Sequence, residues 1–406
     1  MDKSAQVNEG SSSAEQPFRI LVVLNAPWDE RLGVVRVWAE LCRQWADAGH
    51  IAEHYSLTEA FPNTQRSGAA LAMQQLLFTY KARAFVRQNA GRFDVVDALI
   101  GNLPWSKEAL GFRGLLVARS VGLYRLYDRF EKVAAARWPS HGRLPSRIFY
   151  SAVRFLSLRA SRASVYNADL INVPNEEEAL CVRSEIRPDA PITVQPYGLS
   201  ADSRQDFASA AAPATVRLVS KKICFVGMWS PRKGAHDWAR IIALVRAEVK
   251  NARFVFLGTM VAPEKILKDV NLAPADWLEL RSDYTSGELP QLLSDCTVGA
   301  FPSYVEGFGI AVLEQLAAGV PTIAYDVPGP RDMMMKDLPE FLVAVGDVEQ
   351  FSAALVRVLQ CDASRYELLS ARSRKAAERF DWSTIAHETV QSYRTCQTKG
   401  ALNTHG

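Results

Sequence analysis

FPSYVEGFGIAVLEQLAAGVP, residues 301–321, is the most informative stretch of the chain. An apolar run ends at Pro302, a loop bearing Gly307 and Gly309 follows, and an apolar-periodic helix spans 309–318 before Gly319 closes it. Strand, glycine-bearing loop and helix in this order make a phosphate site at the carboxyl end of a strand. The glycines let the backbone approach a ligand, and the free N–H groups and dipole of the helix start favour a diphosphate. Two carboxylates flank that helix start, Glu306 in the loop and Glu314 one turn in, with seven residues between them. A glutamate inside the helix can accept both hydroxyls of a ribose, whereas the loop glutamate is placed nearer a reacting sugar. Either one alone would read as a solvated charge; their joint spacing around Glu-Gly-Phe-Gly argues for a site.

A second loop of the same kind lies upstream. VGMWSPRKG, residues 226–234, follows another apolar strand and places Arg232 and Lys233 before the next helix. Preorganised cations there can neutralise a departing diphosphate in the transition state; the alternative is a pair of surface cations in a turn made by Pro231 and Gly234.

Around these loops the chain alternates short apolar runs with helical patterns, the signature of parallel strands covered on both faces. Strand-like runs fall at 18–25, 95–100, 114–118, 168–173 and 192–196, then at 223–227, 253–258, 278–280, 297–301 and 322–325. Helical patterns fall at 34–48, 68–89, 103–163, 236–250, 289–296 and 309–318. The fold class is α/β, and the expected organisation is a disordered, polar, non-signal tail at 1–17, a Rossmann-like domain at 18–199, an unpatterned linker at 200–215, a second Rossmann-like domain at 216–382 and a terminal helix at 383–397.

Composition excludes other classes. With 406 residues, two domains are expected, and 47 Lys and Arg against 44 Asp and Glu is no footprint for a dedicated nucleic-acid binder. The six cysteines are widely spaced without a C-x-x-C pair, which fits reduced thiols of a cytoplasmic protein, and no spacing of the six histidines argues for a metal or a Ser–His–Asp triad. One local bias stands out: residues 103–163 hold twelve cations against three acids, interleaved with aromatics. That mixture suits an anionic membrane surface at the inner face of the membrane or, equally, amphipathic helices with solvated arginines.

Here the landmarks carry a resemblance. Gly227, Ser230-Pro231, Lys233-Gly234, Pro302-Ser303, Glu306-Gly307-Phe308-Gly309, Glu314, Ala318-Gly319-Val320-Pro321, Gly329 and Phe380-Asp381-Trp382 resemble a family 4 glycosyltransferase of the GT-B fold, two Rossmann-like domains facing across a cleft. The resemblance implies retaining transfer of a hexose-type residue from a UDP- or GDP-linked sugar to a glycan or lipid-linked saccharide in polysaccharide or lipopolysaccharide biosynthesis, with no cofactor or bound metal. It implies that Glu314 holds the ribose, that Glu306 and the backbone of Gly309, Ile310 and Ala311 meet donor sugar and phosphates, and that Lys233, with Arg232, stabilises the departing diphosphate. By the same analogy Gly33, Gly227, Gly307, Phe308 and Tyr284 belong to the donor site, Tyr284 at the base, and Asp97, Arg119 and Ser120 lie on the acceptor side. Three positions depart from the family pattern: Met228 stands where an arginine is usual, Val121 where a histidine is frequent, and Leu32-Gly33 replaces a Gly-Gly pair. A nucleotide-sugar epimerase and a non-catalytic nucleotide-sugar- or glycan-binding protein are the alternatives.

Overall fold

The computed structural model describes residues 16–63, 68–138 and 144–403. Of the expected tail only Gln16 and Pro17 fall among them; His141, Arg143 and His405 lie outside the described residues, as does the side chain of Arg147. Two six-stranded sheets form. The first contains β1 (Arg19–Leu24), β2 (Ile51–Ser56), β3 (Val95–Leu99), β4 (Leu115–Arg119), β5 (Leu170–Val173) and β6 (Ile192–Val194), ordered β2-β1-β3-β4-β5-β6. The second contains β7 (Lys222–Val226), β8 (Arg253–Leu257), β9 (Leu278–Arg281), β10 (Val298–Phe301), β11 (Thr322–Tyr325) and β12 (Leu342–Val343), ordered β12-β11-β10-β7-β8-β9. Neighbouring strands are parallel throughout, with registers such as Val22 beside Asp97 and Gly299 beside Thr322. The central strands are buried on both faces because helices cover both, so they are continuous apolar runs: β10 and β11 have every residue buried.

Strand order reverses once in each sheet, between β1 and β3 and between β7 and β10. Such switch points open a crevice at the carboxyl ends of the strands. The two sequence motifs that matter, 226–234 and 301–321, follow β7 and β10 and therefore meet at the second crevice.

The two domains touch at several places. The chain crosses between them twice side by side: Leu199 N donates to Phe380 O (3.0 Å) and Trp382 N to Leu199 O (3.3 Å), while Arg204 pairs with Asp381 at 2.5 Å. The Trp382–Asn403 helix then lies against the first domain, where Tyr393 contacts Trp45 and Phe18.

Several expectations need correction. The 200–215 stretch is not an unpatterned linker: Ala201–Ala210 is a helix capped by the Ser200 hydroxyl, and Ala214–Ser220 is another. Its one buried apolar side chain, Phe207, gives too little periodicity to read, and the helix is held by packing on Leu289–Leu293 and Ile310–Ala317. Strand β2 and the helix Glu176–Glu185 also escaped the pattern, since IAEHYS buries only its last two residues and the helix opens on three glutamates. The helical pattern read across 103–163 is broken by β4, with helices at Lys107–Leu110, Tyr124–Arg137 and Leu144–Asn167.

The lopsided charge of 103–163 is partly cancelled by acids outside it. Lys107 pairs with Asp169 (2.8 Å), and Arg125 and Arg129 both pair with Glu185. All six cysteines are free thiols.

Candidate active site

The loop after β7 folds as a short turn, Pro231–Lys233, ended by Gly234 at φ +78°. A Cβ at Gly234 would stand 2.3 Å from the Pro302 carbonyl, so only glycine lets this loop close on the end of β10. The turn aims both cations inward. Lys233 Nζ donates to Glu306 Oε1 at 2.6 Å, and Arg232 Nη1 lies 3.2 Å from the same oxygen. Arg232 also stands over the Tyr127 ring at 4.9 Å, and Lys233 over the Phe301 ring at 4.6 Å.

Glu306 is buried. Burial pushes its carboxyl up, but Lys233 and Arg232 together outweigh burial and hold it below the usual carboxylate range. Burial and Arg232 lower Lys233, against the pull of Glu306. One carboxylate thus answers two cations, and the cluster keeps a net positive charge beside the cleft.

Below it, Gly309 precedes the helix Ile310–Ala317, whose start no side chain caps. Its first-turn N–H groups and dipole favour an anion at Gly309, Ile310 and Ala311. Phe308 itself is buried against the rings of Tyr197 and Phe380, so it anchors the loop and can serve a ligand through its backbone only. Glu314, in the second turn, is buried and ion-paired to Arg36 of the first domain. Tyr284 completes this end: burial, Glu314 and Arg36 bear on its hydroxyl in that order, the first two raising it, and its ring covers Gly258, where a Cβ would come within 2.8 Å.

The donor loop touches the first domain directly. Gly307 is so close to the 121–122 backbone that a Cβ would stand 2.9 Å from Val121 O and 3.0 Å from Gly122 Cα, and Asn175 Nδ2 donates to Gly307 O at 2.6 Å. Asn175 also caps the Glu176–Glu185 helix by accepting from Glu178 N. Glu178 accepts from the Ser120 hydroxyl at 2.5 Å, and burial pushes its carboxyl up to about 7.

The structure brings together Lys233, Arg232, Glu306, Gly307, Gly309, Ile310, Ala311 and Glu314; Gly227 lies within reach of the Lys233 chain, and Gly33 opens the helix that carries Arg36. It does not bring Asp97 and Arg119 into the cleft. Asp97 Oδ2 accepts from Arg119 Nε (2.9 Å) and Nη2 (2.8 Å) and from the Tyr393 hydroxyl (2.5 Å), and Arg119 also donates to Asn172 (2.9 Å). Both side chains are sealed, at 0% and 1% exposure, and Arg119 is the last residue of β4. Ser120 reaches the site only through the 120–122 turn, where its oxygen accepts from Gly122 N. Met228, where the resemblance calls for arginine, is half-exposed.

Sequence reasoning missed Arg36, Asn175 and Glu178. Arg36 did leave a signal: a cation in a first helical turn opposes the helix dipole, which hints at a partner elsewhere. Asn175 before three glutamates carries the residue-type signal of an N-cap, but nothing local marks it as a link to Gly307.

Known proteins resemble this chain in sequence and in fold. Residues 220–361, the segment holding both loops, match the family described as Glycosyl transferases group 1. The chain is 25% identical over 341 residues to an MMP alpha-(1->4)-mannosyltransferase of Mycolicibacterium hassiacum, covering 78% of this chain and 74% of that one. It is 29% identical to a D-inositol 3-phosphate glycosyltransferase of Thermobispora bispora, over 45% of this chain and 44% of the relative. Among solved structures, sucrose-phosphate synthase from Thermosynechococcus elongatus superposes with a TM-score of 0.69 at 18% identity, covering 94% of this chain and all of that one. HepE from Anabaena, in complex with UDP and glucose, superposes with a TM-score of 0.61 at 15% identity, covering 93% of this chain and 100% of that one.

Proposed function

We propose that this chain of GT-B fold, whose residues 220–361 match the group 1 glycosyltransferases, moves a hexosyl residue, with retention, from a UDP- or GDP-linked sugar to a glycan or lipid-linked saccharide. The observation that carries the reading is the cluster of Lys233 and Arg232 on the single carboxylate of Glu306, beside an uncapped helix start. A diphosphate leaving a sugar develops negative charge, and cations held in place before the reaction stabilise it without reorganising. Lys233 and Arg232 supply that charge, the 310–311 backbone receives the phosphates, Glu314 accepts from the ribose hydroxyls, and Tyr284 with the backbone at Gly258 forms the floor for the base. Glu306 keeps both cations in register and faces the donor sugar. With two side-chain cations at the leaving group, the reading includes turnover that needs no metal ion.

The relatives support the chemistry. One is named as a mannosyltransferase, another as an inositol 3-phosphate glycosyltransferase, and a neighbour was solved with UDP and glucose. The test is a panel of UDP- and GDP-hexoses incubated with and without saccharide acceptors, in buffer and in excess EDTA. Transfer of the sugar, with the anomeric configuration kept and turnover equal in EDTA, is expected. An epimerised donor without transfer would favour the epimerase alternative, and loss of activity in EDTA restored by manganese would remove the cation role of Lys233 and Arg232.

The acceptor side adds a surface. The helix Leu144–Asn167 has four arginines and no acid, and it exposes Ile148 (63%), Phe155 (59%), Leu156 and Tyr166. Arg159 lies over Phe155 at 5.8 Å and Arg162 over Tyr166 at 5.5 Å, and neither makes an ion pair among the described residues. Residues 148, 155, 159, 162 and 166 share one helical face at three-, four- and seven-residue spacing. Unpaired arginines on aromatic rings suit an anionic lipid surface, each cation near it contributing about 1 kcal/mol. No described helix is long and apolar enough to cross a membrane. Sedimentation with anionic vesicles at low salt, lost with neutral vesicles, is the expected result; equal recovery in both supernatants would leave solvated arginines.

A further inference from the structure

Arg36 sits in the first turn of Gly33–Asp47, where the helix dipole disfavours a cation, and that turn contains no acid to offset it. Its counter-charge lies in the other domain. Arg36 Nη2 donates to Glu314 Oε1 across the cleft, with the arginine side chain 24% exposed and the carboxylate only 3%. Glu314 dominates the arginine's environment and raises its pKa against the opposing effect of burial, and Tyr284 adds to it. Arg36 therefore stands beside both the proposed ribose carboxylate, Glu314, and the proposed base floor at Tyr284.

A carboxylate has two oxygens and about four lone-pair sites, so a guanidinium on one oxygen leaves the other for a ribose. Expelling Arg36 would instead strand a buried carboxylate without a counter-charge, which is strongly unfavourable. The arrangement thus favours an arginine that stays while the ribose binds. It also gives the cleft a third cation in a chain whose β7 loop carries Met228, half-exposed and neutral.

We propose that Arg36 is a positioning residue of the donor site supplied by the first domain: it fixes the Glu314 carboxylate and leaves its second oxygen to the ribose, so that both domains bind the nucleotide together. The inference rests on the ribose role given to Glu314 above. It is tested by calorimetric titration of the full chain with UDP and with GDP, using wild type, Arg36→Met, Arg36→Lys, Glu314→Gln and the Arg36→Met/Glu314→Gln double variant. Arg36→Met is expected to raise the Kd at least tenfold for whichever nucleotide the wild type binds, and Arg36→Lys to recover part of the loss. The double variant should bind no more weakly than Glu314→Gln alone, because Arg36 acts through Glu314 only. If Arg36→Met fails to fold, with its carboxylate buried and unpaired, the comparison of Arg36→Lys, Glu314→Gln and the double variant still decides. Unchanged or tighter nucleotide binding on removing Arg36, or losses that add in the double variant, would overturn the proposal. A wild type that binds neither nucleotide would remove the function proposed above and this inference with it, whereas an Arg36→Met protein that binds as wild type does removes the Arg36 role alone.

Discussion

Two carboxylate–cation clusters serve the two sheets, and their surroundings separate them. In the first domain Asp97 and Arg119 balance one charge with one, both sealed from solvent, with Asn172 and Tyr393 taking further bonds. In the second, Glu306 faces two cations, and the Lys233 and Arg232 side chains keep 12% and 26% of their surface exposed at the cleft. A balanced pair closed to solvent offers a ligand neither spare charge nor access, and its tie to Tyr393 fastens the terminal helix to the first domain. An unbalanced cluster at a crevice has charge that an anionic ligand completes. Residue type is shared by both; charge balance and access differ, and these assign the roles.

The largest effect expected from this contrast is on stability. Arg119→Met leaves the Asp97 carboxylate buried and unpaired, a loss of about 3–5 kcal/mol, while turnover per folded molecule stays within about threefold. Urea unfolding read beside single-turnover rates checks it; a large loss of turnover at full stability would return Arg119 to the acceptor site. Next comes the open cluster. Lys233→Ala should lower turnover by ~10²–10³, the range for removing one preorganised transition-state donor, with stability near wild type. Single-turnover kinetics with saturating donor would show it, and a loss below about threefold would assign the leaving-group charge elsewhere.

A smaller step sharpens the division of labour within the open cluster. Arg232 is partly held by the Tyr127 ring and the Val305 carbonyl, so Arg232→Ala should cost about ten- to a hundredfold in turnover, the loss of one charge-assisted hydrogen bond. Equal losses in the Arg232 and Lys233 variants would show two equivalent cations in place of one principal and one accessory.

The smallest effect concerns Glu178, behind the 120–122 turn. Its carboxyl is pushed up to about 7 in the folded chain, above its unfolded value, so the folded state holds more protons between roughly pH 4.5 and 7. The corresponding stability is present below the unfolded pKa and is lost as pH rises through the folded one. Glu178→Gln should therefore flatten the pH dependence of unfolding in that window by at most about 1.4 kcal/mol per pH unit. An unchanged slope would mean that Glu178 is charged throughout.

Much of this was legible in order along the chain. The strands flanking both loops, the 310–317 helix and the offer of Glu306, Lys233 and Glu314 in or beside glycine-bearing loops follow from apolar runs, glycines and charge spacing, because those signals are local. The helix Ala201–Ala210 was not legible, since a single buried phenylalanine gives no period and its stability comes from the helices it packs against. Asp97 and Arg119 were legible as charges in or at the end of apolar strands but not as a sealed pair, because sealing needs Tyr393, almost three hundred residues away in sequence.

The α/β class, the two glycine-bearing loops and the residue types they carry can be read along the chain, because they depend on short-range periodicity and backbone chemistry. Which charges face the cleft, which are buried, and that Arg36 reaches Glu314 from the other domain follow from the folded arrangement alone. Burial and pairing across domains depend on how the sheets are set against each other, and the spacing of residues along a chain does not encode that directly.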